Sequence, residues 1–151
     1  MFFLYQILIL ILLILSPIII IYRILKKKED TKRFKEKFCI PSKKRKAGNL
    51  IWFHGSSVGE FLSIIPLIHE LEKNKHINQI LITSSTLSSA EIFKNYKFKK
   101  VIHQFFPIDF FLYSYKFLNY WQPTITIFIE SEIWPSIFRA LNKKKIPLII
   151  L

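Results

Sequence analysis

The chain has 151 residues, 51% of them hydrophobic, and a formal charge of +13. Its single cysteine, Cys39, excludes a disulfide within the chain and agrees with a reducing compartment. Twelve basic residues against three acidic ones between Arg23 and Lys46 supply +9 of that charge, and a cluster beside an apolar helix points to anionic lipid headgroups rather than nucleic acid.

In chain order, Met1 to Tyr22 has no charged side chain, and Ile7 to Ile21 is almost wholly Ile and Leu, broken only by Ser16 and Pro17. At about 1.5 Å per residue such a helix reaches roughly the 30 Å of a bilayer's apolar core. The basic start, short apolar stretch and small-residue cleavage site of a signal peptide are absent, and Pro17 is tolerated in a spanning helix. Residues 1–22 are therefore expected to be a transmembrane anchor. Lys and Arg flanking a first helix stay on the cytoplasmic side, so 23–48 reads as a basic juxtamembrane linker and 49–151 as a domain on that face.

Leu50 to Phe53 reads as a strand, followed by the loop His54-Gly55-Ser56-Ser57-Val58-Gly59 and then by Phe61, Ile64, Ile65, Ile68 and Leu71 at helical spacing. Strands at Gln79–Thr83, Val101–Phe105 and Thr124–Ile129 then alternate with helices at Leu87–Tyr96, Phe110–Tyr120 and Pro135–Asn142. Such alternation predicts an α/β fold with a parallel sheet covered on both faces. Leu148 onward reads as one more buried strand with no loop after it, so the sequence is expected to be a fragment of a longer protein.

Ligands of open α/β sheets bind beyond the carboxyl ends of the strands. Three polar loops lie there, Gly55–Glu60, Ser84–Ser89 and Glu130–Trp134, and two of them carry the carboxylates Glu60 and Glu130. Two carboxylates at one crevice edge could share acid/base work. Against this, Ser57-x-x-Glu60 is a capping box, which the residues alone favour over a catalyst. Glu130 and Glu132 before Pro135 suit a helix start in the same way. The four histidines show no metal-ligand spacing. Gly55-Ser56-Ser57-Val58-Gly59 also matches the G-x-S-x-G elbow of serine hydrolases, which would make Ser57 a nucleophile, but it follows the first strand and lacks a persuasive Asp and His partner.

Read together, these motifs resemble the N-terminal half of the bacterial transferases that add 3-deoxy-D-manno-octulosonic acid (Kdo) to lipid A. The resemblance rests on an apolar anchor, Lys32-Arg33-Phe34, Ile51-Trp52-Phe53-His54-Gly55-Ser56-Ser57-Val58-Gly59-Glu60, Pro66-Leu67, Thr83-Ser84-Ser85-Thr86, Pro107-Ile108-Asp109 and Glu130-Ser131-Glu132-Ile133-Trp134-Pro135. It implies the Rossmann-like N-terminal domain of a GT-B glycosyltransferase that inverts the sugar centre. By position it implies Glu60 as proton acceptor and Glu130 as transition-state stabiliser; with it go Ser56, Ser57 and Gly59 as an acceptor loop, and the amides of Ser57 to Glu60, with the nearby basic surface, as holders of the acceptor's phosphates. It implies no cofactor and no metal.

The same resemblance implies the donor CMP-Kdo, bound by a C-terminal domain absent here, and as partners a lipid A precursor (lipid IVA) and anionic membrane lipids at the inner membrane. Gly55 stands where the family more often has Ala or Thr, and Ser88-Ser89 where it has Thr-Gly. Without a donor domain the 151-residue chain is expected to be inactive alone. The alternative is a non-catalytic, membrane-bound acceptor-binding module.

Overall fold

The computed structural model describes residues 1–130 and 133–151, with Lys94 described by its backbone alone. The apolar runs become five parallel strands, β1 (Leu50–His54), β2 (Gln79–Ser84), β3 (Val101–Phe105), β4 (Ile125–Phe128) and β5 (Leu148–Ile150). Their order is β3-β2-β1-β4-β5, with helices α2 (Val58–Lys73), α3 (Leu87–Ile92), α4 (Phe111–Trp121) and α5 (Pro135–Lys143) in the crossovers. The fold is α/β, as the alternation predicts.

Successive side chains of a strand point to opposite faces. Phe53, Ile80, Ile82 and Ile127 therefore pack under α2 and α3, while Trp52, Leu81 and Phe128 pack with Phe117, Trp121 and Ile137 of α4 and α5. Two layers of helix leave the central strands no solvated face, which is why they read as continuous apolar runs. Chain order reverses between β1 and β4, which lie side by side in the middle of the sheet.

Two expectations shift. The third helix is shorter than Leu87–Tyr96, because Phe93–Asn95 tightens into a 3-10 turn that sets the Phe93 ring edge-on to Phe61 at 5.2 Å. At the sheet's outer edge Ile149 and Ile150 of β5 are exposed rather than buried.

The N-terminal helix α1 (Phe2–Leu25) runs three residues past Tyr22. Arg23 in its last turn complements the negative helix end and pairs with Glu29 at 2.9 Å. By length and composition α1 can cross a membrane. Here it lies along the domain, with Tyr5 Oη donating to Asp109 Oδ2 at 2.7 Å and Gln6 Nε2 to Ser136 Oγ at 2.7 Å.

The segment expected as a linker is docked on the domain for much of its length. Glu36, buried in the 3-10 turn Phe34–Phe38, accepts from the Phe105 amide of edge strand β3 at 2.7 Å and from Arg33 at 2.8 and 3.0 Å. Arg33 donates in turn to the His103 carbonyl at 2.9 Å, and Arg45 Nε to the Trp121 carbonyl at 2.5 Å. The turn thus covers part of an edge that would otherwise offer unpaired amides. Glu36→Ala strands a half-buried guanidinium and a buried amide, so it should lower unfolding stability by about 3 kcal/mol, read from the urea midpoint.

Cys39 is buried and donates to the Tyr113 carbonyl at 3.1 Å. Burial pushes its thiol up to about 12, against a weaker opposite pull from Lys116. The folded chain therefore keeps the proton that the unfolded chain gives up near pH 9, and stability should fall between about pH 9 and pH 12 as the unfolded thiol ionises. At pH 8 iodoacetamide should label Cys39 slowly in the native chain and rapidly in urea, because only a thiolate is nucleophilic.

Candidate functional site

Chain order reverses between β1 and β4, and folds of this kind bind ligands beyond the carboxyl ends of the strands at such a point. Glu60 lies on the loop and helix start after β1, and Glu130 two residues past the end of β4. The backbone stitches the two exits together, since the Ile129 amide donates to the His54 carbonyl at 2.9 Å. A methyl group at Gly55 would stand 2.9 Å from Glu60 Oε2 and 3.2 Å from Ile129 Cδ1. The Glu60 carboxylate and the residue before Glu130 therefore lie about one small gap.

Glu60 is 7% exposed. The expected capping box is formed, with the Glu60 amide donating to Ser57 Oγ at 3.2 Å and the Ser57 amide to Glu60 Oε1 at 3.1 Å. Ser56 adds its amide to Oε2 at 2.9 Å and its hydroxyl to Oε1 at 3.3 Å. A carboxylate offers about four acceptor positions. Three are filled, and the described residues leave one position on Oε2 for an incoming donor.

Those bonds also narrow the acceptor-loop expectation. The amides of Ser57 and Glu60, expected to hold phosphates, are spent on the cap, as is that of Ser56. Gly59 is exposed, and the nearest atom to a Cβ built on it is Ser57 Oγ at 4.0 Å, so its flank is open. Ser57 has no histidine bonded to it among the described residues, while the His54 ring stacks on Phe106 at 3.9 Å and turns Nδ1 toward Thr83. Among the described residues a hydrolase triad on Ser57 is not assembled.

Glu130 is exposed, and its backbone is left-handed, with φ of 59°. For a side chain with a Cβ this conformation is unfavourable by about 1 kcal/mol. Its amide donates to the Leu151 carbonyl at 2.9 Å, which ties the turn to the end of β5. Ser131 and Glu132, part of the same motif, lie outside the described residues.

Two polar residues do work that the sequence did not reveal. Asp109 is buried and accepts from the first amides of α5, Ser136 and Ile137, at 2.9 Å each. It is an anionic cap supplied from another loop, and no local spacing announces it. Ser89 Oγ donates to the Ser56 carbonyl at 2.8 Å and so braces the Glu60 loop from α3. Beside the crevice, α1 and the 106–109 loop enclose an apolar groove of about 340 Å³, reached by Ser85 and Trp134 from two of the crevice loops.

A family model described as 3-deoxy-D-manno-octulosonic-acid transferase (kdotransferase) matches residues 32–151. A probable mitochondrial 3-deoxy-D-manno-octulosonic acid transferase of Arabidopsis thaliana is 40% identical over 88% of this chain and 30% of its own length. The 3-deoxy-D-manno-octulosonic acid transferase of Rickettsia bellii is 39% identical over 84% of this chain and 30% of its own. That of Haemophilus influenzae is 31% identical over 66% of this chain and 23% of its own. The chain thus spans about a third or less of the length of these relatives. With the match running from the docked Arg33 segment through both carboxylate loops, the chain belongs to the 3-deoxy-D-manno-octulosonic-acid transferase family of glycosyltransferases.

Proposed function

We propose that the chain is an acceptor-side part of an enzyme that transfers Kdo from CMP-Kdo to lipid IVA, a lipid A precursor, at the cytoplasmic face of the bacterial inner membrane. The observation that carries the reading is the placing of Glu60: a buried carboxylate at the switch point of the sheet, held by three donors that, among the described residues, leave one acceptor position on Oε2.

In the proposed step a glucosamine hydroxyl of the acceptor donates to Glu60 Oε2. Its oxygen attacks the anomeric carbon of Kdo as Glu60 takes the proton. The bond from that carbon to the phosphate oxygen breaks, CMP leaves with the electron pair, and the centre inverts. Glu130 offers negative charge from the opposite lip, where the sugar carbon becomes electron-poor in the transition state. The apolar groove beside the crevice suits an acyl chain of the lipid acceptor, and exposed Lys26, Lys27 and Lys28 suit anionic lipid phosphates. Helix α1 attaches the domain to the bilayer, so that a substrate confined to the membrane meets the crevice at high local concentration. No cofactor or metal enters this reading.

The donor belongs to a second domain. The 151-residue chain alone should therefore show no transfer from CMP-Kdo. A chimera joining it to the remaining C-terminal part of the Rickettsia bellii relative should transfer Kdo to lipid IVA. Transfer by the short chain alone, or a folded chimera that releases no CMP in the presence of acceptor, would refute the proposal.

A further inference from the structure

We propose that Ser89 is a positioning residue for the transfer step: through the Ser56–Ser57 peptide group it holds the Glu60 carboxylate in the pose from which it meets the acceptor hydroxyl. The inference rests on the reading of Glu60 as the base, and it places a residue of α3, on another loop of the crevice, behind that role.

Among the described residues, every donor to the Glu60 carboxylate comes from two consecutive residues. The Ser56 amide reaches Oε2 at 2.9 Å, and the Ser56 hydroxyl and the Ser57 amide reach Oε1 at 3.3 and 3.1 Å. The carboxylate is therefore placed no better than the peptide group that joins Ser56 to Ser57. That group is flat and stiff. Its N–H, on Ser57, faces Glu60, and its carbonyl, on Ser56, accepts from Ser89 Oγ at 2.8 Å. One peptide thus carries a bond at each end, so a shift at the Ser89 end is felt at the carboxylate, and each bond polarises the other.

The Ser89 hydroxyl has no duty in its own helix. The α3 cap is made by the Ser89 amide, which donates to Thr86 Oγ1 at 3.3 Å. A serine hydroxyl has one hydrogen, and Ser89 gives it to the Ser56 carbonyl. Its 2.8 Å contact with Thr86 Oγ1 must then carry the Thr86 hydrogen, so a donor behind Ser89 turns it toward Ser56. Thr86 is held in turn, since its carbonyl accepts from Ser84 Oγ at 3.3 Å, and Ser84 Oγ lies 2.8 Å from His103 Nε2. A guanidinium can only donate. Arg33, at 2.8 Å, therefore makes His103 Nδ1 an acceptor and leaves the ring proton on Nε2, facing Ser84.

Each of these bonds donates in the same direction, from the docked Arg33 segment toward the Glu60 loop. Ser89 is 1% exposed, out of a substrate's reach, and acts on the reaction through Glu60 alone. Its loss belongs in turnover rather than in substrate binding, because a base displaced by a fraction of an ångström still leaves the acceptor its other contacts.

The test is a double-mutant cycle in the chimera described above. Ser89→Ala should lower kcat by about 10–100-fold with KM for lipid IVA unchanged. In the Glu60→Gln background the same change should cost nothing further, because the group that Ser89 positions is gone. Parental kcat in folded Ser89→Ala overturns the proposal, and so does an equal loss in both backgrounds, which marks a merely structural role. If Ser89→Ala does not fold, Ser89→Cys takes its place, since a thiol keeps the shape and donates weakly; it should give a smaller loss of kcat that likewise vanishes beside Glu60→Gln. The 151-residue chain in detergent micelles supplies a readout without turnover: the Ser57 amide proton should move upfield in Ser89→Ala as its peptide loses polarisation, and an unmoved resonance counts as refutation. Parental turnover in Glu60→Gln alone would instead remove the base reading beneath the proposal, so the two failures are told apart.

Discussion

In the chimera, Glu60→Gln is expected to lower kcat for Kdo transfer by about 10²–10⁴-fold while leaving the domain folded. The change removes the proposed proton acceptor but keeps a side chain of the same shape, and Gln serves at the third position of a capping box. Its amide group cannot accept from Ser56 and Ser57 on both sides as the carboxylate does, so stability should drop by about 1 kcal/mol. The proposed base role and the observed cap are thus separable by measurement, with kcat reporting the first and the urea midpoint the second. A Ser57→Ala variant makes the complementary case. It deletes the hydroxyl that caps the Glu60 amide but leaves the carboxylate. If Glu60→Gln retained near-normal turnover, Glu60 would be a cap and nothing more.

The proposed dual role accounts for why the residues alone point to the cap. Ser57-x-x-Glu60 states a local hydrogen-bond pattern, and the structure forms it. Gly55, beside Glu60 Oε2, and Ile129 follow β1 and β4 and meet only after the sheet is assembled. The strands and helices were legible because each carries its own pattern, and β1 and β2 show it as short apolar runs, Leu50–Phe53 and Ile80–Ile82, set in the sheet.

Contacts between distant segments were not legible. Glu36 bonds to the Phe105 amide, and Asp109 caps α5. In both cases a charged residue serves a partner whose need is created by the fold, and no spacing rule encodes the match. The position of α1 belongs to the same class. A helix apolar on every side has no face that sequence can assign to a partner, and only Tyr5, Gln6 and Ser16 mark the side that turns to the domain.

Glu130 offers the second test. A residue with a Cβ and a φ of 59° is strained, and strain that persists beside a ligand crevice is retained for the position in which it holds the side chain. Asn adopts the left-handed conformation more readily than Glu. Glu130→Asn should therefore leave stability unchanged or raise it by up to about 1 kcal/mol. The same variant loses a carboxylate from the lip of the crevice and should reduce transfer by about 100-fold. Gain in one measurement with loss in the other is the signature of a residue kept for chemistry at a cost in folding. Glu130→Gln is the control for charge alone. It keeps the length of the side chain and the strained backbone, so it should lose transfer to a similar degree without any rise in the unfolding midpoint. If Glu130→Asn instead transferred Kdo at the normal rate, the turn would serve only to join β4 to the end of β5 through the Leu151 carbonyl, and the charge that stabilises the transition state would have to come from elsewhere in the completed enzyme.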